Sequence, residues 1–410
     1  MSICHIAKSI ARGRVTAPPS KSYAHRLLLA AFLSGKRTVI DNIDLSKDIL
    51  ATIGCIRALG GEVNTEVNKA IISGKEADTN SDHPGEVLPC AESGSTLRFM
   101  IPVALALRGC AVFTGTAKLF SRGIGEYEKI FASQGINYEI GEGFIKVRGE
   151  LRSGTFTIDG TTSSQYITGL LFTLPLLNGE SKIIITLPVQ SRPYIEITLD
   201  VLRNAGITAG FNGNELTIPG GQHYNLPDCR VEGDWSNAAF LEFFNHIGGD
   251  VTVEGLNPDS LQGDKIYRQH FNSLDSGFCT IDIGNCIDLG PVLFTMAAIK
   301  HGARFVNTAR LRIKESDRIA DIISELEKIG SHTVTDSNSV VIEPAPQATL
   351  KALEGRGITF SSHNDHRLAM SLTALASIFG GSIEGCEAVA KSFPRFFEQI
   401  KGLNIGVYHE

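Results

Sequence analysis

Little in this 410-residue chain suggests a membrane, a metal or a nucleic acid. Its longest apolar run, around Met100–Leu107, is about eight residues, far short of the roughly twenty that a membrane-spanning helix needs. Residues 1–15 carry basic side chains but no apolar stretch of the kind a secretory leader requires, so a cytoplasmic protein is expected. The eight cysteines, at 4, 55, 90, 110, 229, 279, 286 and 386, form no Cys-x-x-Cys pair and no Cys/His cluster at metal spacing. They read as scattered reduced thiols, and no metal is expected. A net charge of −6 argues against general nucleic-acid binding. Low-complexity segments and Gly/Ser linkers are missing too.

What is present is a chain rich enough in apolar residues, 42%, to bury a large core, and too long for one ordinary domain. Candidate helices start at a capping Ser, Asp, Asn or Thr and stop at a glycine suited to the left-handed position after the last turn. Gly35, Gly60, Gly109, Gly135, Gly206, Gly330, Gly380 and Gly402 are such stops, and short β-like runs such as Val112–Thr114 and Val251–Val253 follow many of them. The first helix of each successive pair starts near residues 22, 95, 164, 236, 289 and 365. These starts lie roughly seventy residues apart with one shorter interval, an internal repeat of six α/β units. Six units over two domains predict three per lobe. Residues 1–17 and 228–410 are expected to form one lobe and 18–227 the other.

The distinctive charged motifs fall at helix beginnings, where free N–H groups and the positive end of the dipole make a ready anion site. Pro18-Pro19-Ser20-Lys21-Ser22-Tyr23-Ala24-His25-Arg26 puts two cations where the dipole disfavours them, which a bound anion would explain. Glu92-Ser93-Gly94-Ser95-Thr96-Leu97-Arg98 combines capping hydroxyls with a glycine that permits close backbone approach, although alone it also suits an ordinary capped loop. Thr161-Thr162-Ser163-Ser164-Gln165 offers neutral donors to a phosphate, and Ser191-Arg192-Pro193-Tyr194 opens the next helix. Asp288 is either a plain cap or a buried general base. Lys314-Glu315-Ser316-Asp317-Arg318, Asn364-Asp365-His366-Arg367 and Lys391-Ser392-Phe393-Pro394 open later helices. Lys21, Arg122, Arg318, Arg367 and Lys391 together supply more cationic charge than one monoanion needs; two polyanionic ligands fit better.

Seven motifs, in order and across nearly the whole chain, resemble the 5-enolpyruvylshikimate-3-phosphate synthase family. They are Pro-Ser-Lys-Ser-x-x-x-Arg (19–26), Ser-Gly-Ser-Thr-x-Arg (93–98), Ser-Ser-Gln (163–165), Ser-Arg-Pro-Tyr-Ile-x-Ile-Thr (191–198), Val-Glu-Gly-Asp (231–234), Lys-Glu-Ser-Asp-Arg (314–318) and Asn-Asp-His-Arg (364–367). The resemblance implies an α/β fold of two similar lobes, each of three βαβαββ-type units, the inside-out α/β barrel of enolpyruvyl transferases. It also implies closure of the lobes on shikimate 3-phosphate and phosphoenolpyruvate, with no cofactor, by a protein acting as a monomer. Position by position, it makes Lys21, Asp288 and Glu315 catalytic: Asp288 the base at the attacking hydroxyl, Glu315 the proton donor and acceptor at the methylene. Lys21, Ser22, Arg26, Ser163, Ser164, Gln165, Ser191, Tyr194, Asp288 and Lys314 are then expected to hold shikimate 3-phosphate. Lys21, Gly94, Arg122, Gln165, Glu315, Arg318, Arg367 and Lys391 are expected to hold phosphoenolpyruvate. The chain departs from the family's common residues at Glu92 (asparagine), Gly123 (proline) and Arg310 (asparagine in some members).

The sister enolpyruvyl transferases acting on UDP-N-acetylglucosamine are the closest alternative. They typically carry asparagine after the first-motif lysine and a reactive loop cysteine, whereas Ser22 follows Lys21 here and Gly115–Arg122 contains no cysteine. An RNA-end-modifying cyclase would need a nucleotide-carrying histidine, and His25 and His366 read as structural.

Overall fold

In the computed structural model, which describes residues 2–74 and 85–409, the chain divides into two compact units. One is Met1–Pro18 with Gly233–Glu410, and the other is Pro19–Glu232. The crossings therefore fall at 18/19 and 232/233, where the sequence suggests 17/18 and 227/228. The later crossing has a local cause: strand Cys229–Arg230 pairs in parallel with Thr38–Asp41 and holds the chain in the second unit.

Each sheet of the Pro19–Glu232 unit follows one plan, two parallel strands and then a hairpin added antiparallel to the second. Glu86–Ala91 runs parallel to Cys110–Gly115, beside which lie Phe144–Arg148 and Asn137–Gly141. Thr155–Ile158, Ser181–Ile185, Glu215–Ile218 and Gly210–Asn212 repeat the order. So do Cys229–Arg230, Thr38–Asp41, Lys69–Ser73 and Glu62–Glu66, so the unit's last strand completes its first sheet. In the other unit the plan recurs in Cys279–Asp282, Ala303–Val306, Ser339–Ile342 and Thr333–Thr335. It recurs again in Ile358–Ser361, Gly381–Glu384, Ile3–Ile6 and Val407–His409, where the N-terminal strand fills the third place. The remaining sheet pairs Arg12–Thr16 with Asp250–Glu254 and has no hairpin among the described residues. That missing hairpin accounts for the one short interval in the repeat.

The six expected first helices are Lys21–Leu33, Gly94–Arg108, Gln165–Thr173, Trp235–Glu242, Gly290–Ile299 and His366–Phe379. Every residue of Gly290–Ile299 is buried, as is all of His366–Phe379 except Ile378. A helix apolar on all sides belongs in a core, whereas strands such as Thr155–Ile158 bury alternate residues and cover it with one face. The first helix of each repeat thus lies inside its unit, with the sheets outside. Phe294 and Phe305, with centroids 4.6 Å apart, are fully buried, and each contributes about 1.5–3 kcal/mol of apolar burial. No helix among the described residues is long and apolar enough to cross a membrane.

One expected glycine stop is displaced. Gly402 ends the last helix, Phe396–Gly402, and the left-handed position falls two residues later on Asn404 (φ 66°). Asparagine tolerates that conformation, so the glycine signal marked the wrong residue. A glycine with a different duty is Gly169, where helices Gln165–Thr173 and Gly94–Arg108 meet. A Cβ there would overlap the Tyr127 hydroxyl and the Arg98 carbonyl oxygen. Gly169→Ala is expected to destabilise the fold by about 1–3 kcal/mol in denaturant unfolding, although alanine is the better helix former. An unchanged or raised midpoint would show that the helices can part freely.

Candidate functional site

In the Pro19–Glu232 unit, the expected residues gather at the starts of the buried helices. Ser20 caps Lys21–Leu33 by accepting from Tyr23 N. Lys21 Nζ lies 2.8 Å from Asp48 Oδ2, both side chains being largely buried. Asp48 carried no signal of its own in the sequence, because an acid in a helix first turn is an ordinary partner of the dipole. Arg26 is 3% exposed; its guanidinium donates to the backbone of two other expected ligands, Ser22 O (2.7 Å) and Tyr194 O (3.1 Å). It also reaches Thr198 Oγ1 (2.8 Å) and Thr168 Oγ1 (3.2 Å), tying together three helices. Burial brings its pKa down to about 10, so it stays charged at neutrality.

Ser164 and Ser191 stand immediately before Gln165–Thr173 and Arg192–Asn204, and neither hydroxyl caps its helix. Ser191 is held at φ 56°, a left-handed conformation costly for a residue with a Cβ and typical of functional positions. Ser163 Oγ accepts from Gln165 N at 3.3 Å. Gln165 bridges to the neighbouring motif: its Oε1 accepts from Arg98 Nη1 (2.9 Å) and its Nε2 donates to Ser95 Oγ (2.8 Å). Arg122 ends the short helix Ala117–Ser121 rather than starting one. Its guanidinium nonetheless lies over the start of Gly94–Arg108, where a Cβ on Gly94 would be 2.9 Å from both Arg122 Nη atoms and from Arg98 Nη1. The glycine makes room for two arginines. Arg98 lies inside a motif that the sequence singles out, yet its role emerges only from this packing.

The second cluster belongs to the other unit. Asp288 sits in the 3-10 turn Ile287–Leu289, and its carboxylate is taken by cations rather than used as a helix cap. Oδ1 lies 3.2 Å from Lys314 Nζ and 3.0 Å from Arg318 Nη1, and Oδ2 lies 3.5 Å from Arg367 Nη2. Arg318, with a side chain 1% exposed, also binds Glu315 Oε2 (2.8 Å) and Asp365 Oδ2 (2.8 Å). Asp365 in turn caps His366–Phe379 by accepting from Arg367 N at 2.8 Å. Lys314 is pulled below its ordinary pKa by burial, with Asp288 opposing. Lys391 does not open a helix as expected. It ends the 3-10 helix Cys386–Lys391, and its Nζ donates to Asn364 O at 2.6 Å. Arg367 is 3% exposed, and its Nε and Nη1 meet no acceptor among the described residues.

Buried arginines, lysines and carboxylates thus cluster within each unit, most of them at or beside helix starts. The profile of the EPSP synthase family (3-phosphoshikimate 1-carboxyvinyltransferase) matches residues 7–400. The chain belongs to this family. It is 40% identical to the 3-phosphoshikimate 1-carboxyvinyltransferase of Clostridium kluyveri over 95% of each chain. It is 37% identical to that of Clostridium beijerinckii over 97% of this chain and 96% of the other. The solved EPSP synthase of Acinetobacter baumannii shares the fold with a TM-score of 0.76 at 22% identity, and each chain is covered in full.

Several supporting groups have no sequence signal because they act on other side chains. His363 (φ 49°) and Asn364 (φ 56°) form a turn with two left-handed residues in a row. His363 Nε2 lies 2.9 Å from Glu325 Oε1 and its Nδ1 3.4 Å from Asp321 Oδ1, and Ser361 N donates to Glu325 Oε2 at 2.9 Å. That brace fixes the carbonyl that receives Lys391 and the carboxylate that receives Arg318. His25 is fully enclosed; burial first, then Lys21 and Arg26, hold its pKa well below the usual range. With Nδ1 at 2.7 Å from Thr52 Oγ1 it is a neutral core group.

Asp264, also missed, lies buried near Asp288 and Arg367. Burial, then the Asp288 charge, raises its carboxyl from 3.8 to about 7, with Arg367 opposing. Between those values the folded chain keeps a proton that the unfolded chain has lost, so this group makes stability fall as pH rises through the window. Asp264→Asn is therefore expected to flatten the loss of unfolding free energy between about pH 4 and 7, measured by denaturant titration at each pH. A variant that keeps the wild-type slope would place the titration elsewhere.

Proposed function

We infer that the chain transfers the enolpyruvyl group of phosphoenolpyruvate to the 5-hydroxyl of shikimate 3-phosphate and releases phosphate, on the route to chorismate and the aromatic amino acids. Family membership and the shared name of its curated relatives support the activity. Arg367 is the observation that carries the assignment of residues: a buried guanidinium with two nitrogens lacking an acceptor among the described residues calls for an anion. The eight free cysteines, six of them buried, suit a reducing cytoplasm.

The chemistry explains the residue types. Protonating the methylene carbon of phosphoenolpyruvate makes the adjacent carbon electrophilic; a hydroxyl relieved of its proton adds there, giving a tetrahedral intermediate. Return of the methylene proton expels phosphate. One group must give and retrieve the proton, and one must serve the hydroxyl. We assign the first part to Glu315 and the second to Asp288, with Lys21 contacting both substrates. Arg318 sits against both carboxylates and orients them. Arg122, Arg318, Arg367 and Lys391, with Gly94 and Gln165, hold phosphoenolpyruvate, whose carboxylate and phosphate match the planar fork of arginine. Ser163, Ser164, Ser191, Tyr194, Ser22, Arg26, Gln165 and Lys314 hold shikimate 3-phosphate. The position of Ser164 and Ser191 at helix starts suits its phosphate. Fixed charge where charge shifts during reaction supplies the electrostatic part of the acceleration.

Phosphate release from phosphoenolpyruvate is expected with shikimate 3-phosphate as acceptor and not with UDP-N-acetylglucosamine; the reverse preference would overturn the assignment of substrate. Glu315→Gln is expected to lower turnover by about 10²–10⁴-fold and to stop solvent deuterium from entering the methylene. Deuterium incorporation at the wild-type rate would remove Glu315 from the proton transfer.

A further inference from the structure

Three soft metal ligands that are remote in sequence are brought together by the register of one sheet. Cys4, in strand Ile3–Ile6, is paired directly with His409 in the antiparallel strand Val407–His409. Directly opposed residues of an antiparallel pair present their side chains on the same face. On the other side of the N-terminal strand runs Gly381–Glu384, and Gly385, at φ 71°, turns the chain so that Cys386 starts the next 3-10 helix. Gly385 N donates to Ser2 O at 2.9 Å, which seats Cys386 beside the N-terminal strand. The result is that Cys4 Sγ, Cys386 Sγ and a ring nitrogen of His409 all lie within 4.8 Å of one another. Both thiols are buried, at 0% and 2% exposure, while His409 is exposed and its ring packs edge-on against Phe397, centroids 5.6 Å apart.

We propose that Cys4, Cys386 and His409 form a site for a thiophilic divalent ion, zinc(II), with the fourth position open to water on the exposed side. Around a tetrahedral zinc, with Zn–S near 2.3 Å and Zn–N near 2.0 Å, ligand atoms lie roughly 3.4–3.8 Å apart, a spacing the present arrangement allows. Two thiolates and an imidazole select zinc over oxygen-seeking magnesium or calcium. The ion would join the first strand, the last strand and the segment that ends at Lys391. Its part is structural, a clasp on the two ends of the chain, separate from the transfer chemistry. No spacing rule could find it, since its members lie at opposite ends of the sequence.

The test uses the full-length protein, reduced and stripped with a chelator, then titrated with zinc chloride by calorimetry, with cobalt(II) as a spectroscopic probe. The expected result is one equivalent bound, a thiolate-to-cobalt charge-transfer band, and a melting temperature raised by zinc. Cys386→Ser is expected to weaken binding at least about a hundred-fold and His409→Ala about ten-fold, whereas Cys279→Ser leaves it unchanged. His409 is exposed, so its variant reports on binding even should a cysteine variant fold poorly. Absence of stoichiometric binding, or equal affinity in wild type, Cys386→Ser and His409→Ala, overturns the proposal. So does a Cys4–Cys386 disulfide in freshly prepared protein, seen as a mass two hydrogens lighter.

Discussion

The burial of Arg318 is the constraint from which the rest of its unit follows. A guanidinium removed from water costs several kcal/mol unless its donors are matched, and here Asp288, Glu315 and Asp365 match them. The same ion fixes the two carboxylates assigned to proton transfer and the residue that caps the helix bearing Arg367. Geometry at these two carboxylates and the start of a core helix are thereby one arrangement, and neither can shift without exposing a buried charge. Arginine suits this duty better than lysine, since its rigid fork addresses several oxygens at once and remains protonated.

The Pro19–Glu232 unit reaches a similar end with different parts. Its buried helices begin with hydroxyls and glycine, and the cations lie beside them: Lys21 balanced by Asp48, Arg98 held by Gln165, Arg122 laid over Gly94. Repetition of one α/β plan brings several helix starts into each unit, and charge is then added where the dipole alone would be too weak to grip a phosphate. The truncated repeat at Asp250–Glu254 shows that the plan tolerates loss of a hairpin while its inner helix, Trp235–Glu242, stays buried.

Much of this was legible from residues alone, and the exceptions have a common origin. Helix starts such as Lys21, Gly94 and His366 are written in local chemistry, a cap followed by an apolar run, and they appear where the periodicity puts them. Asp48, Asp264, Glu325 and His363 are not legible, because each acts on a side chain far along the sequence and looks locally like an ordinary surface acid or turn residue. The motif that contains Lys391 reads as a helix start, whereas the helix begins only at Phe396, beyond Pro394. Gly402 misled in the same way, with Asn404 taking its conformation. Asp288 can be read locally as a cap or as a base, and only the fold brings the three cations to its carboxylate. A single chain records its own local preferences well and its long-range partners hardly at all.

The central claim is that buried positive charge left incompletely matched by the protein is matched by substrate. Arg367 tests it most directly through Arg367→Met, which keeps the length of the side chain and removes the charge. Thermal unfolding would be followed with and without phosphoenolpyruvate in the presence of shikimate 3-phosphate. The expected result is a variant at least as stable as wild type when alone, since a poorly matched buried charge has gone, and no added protection from phosphoenolpyruvate. Full protection by phosphoenolpyruvate in that variant would contradict the claim.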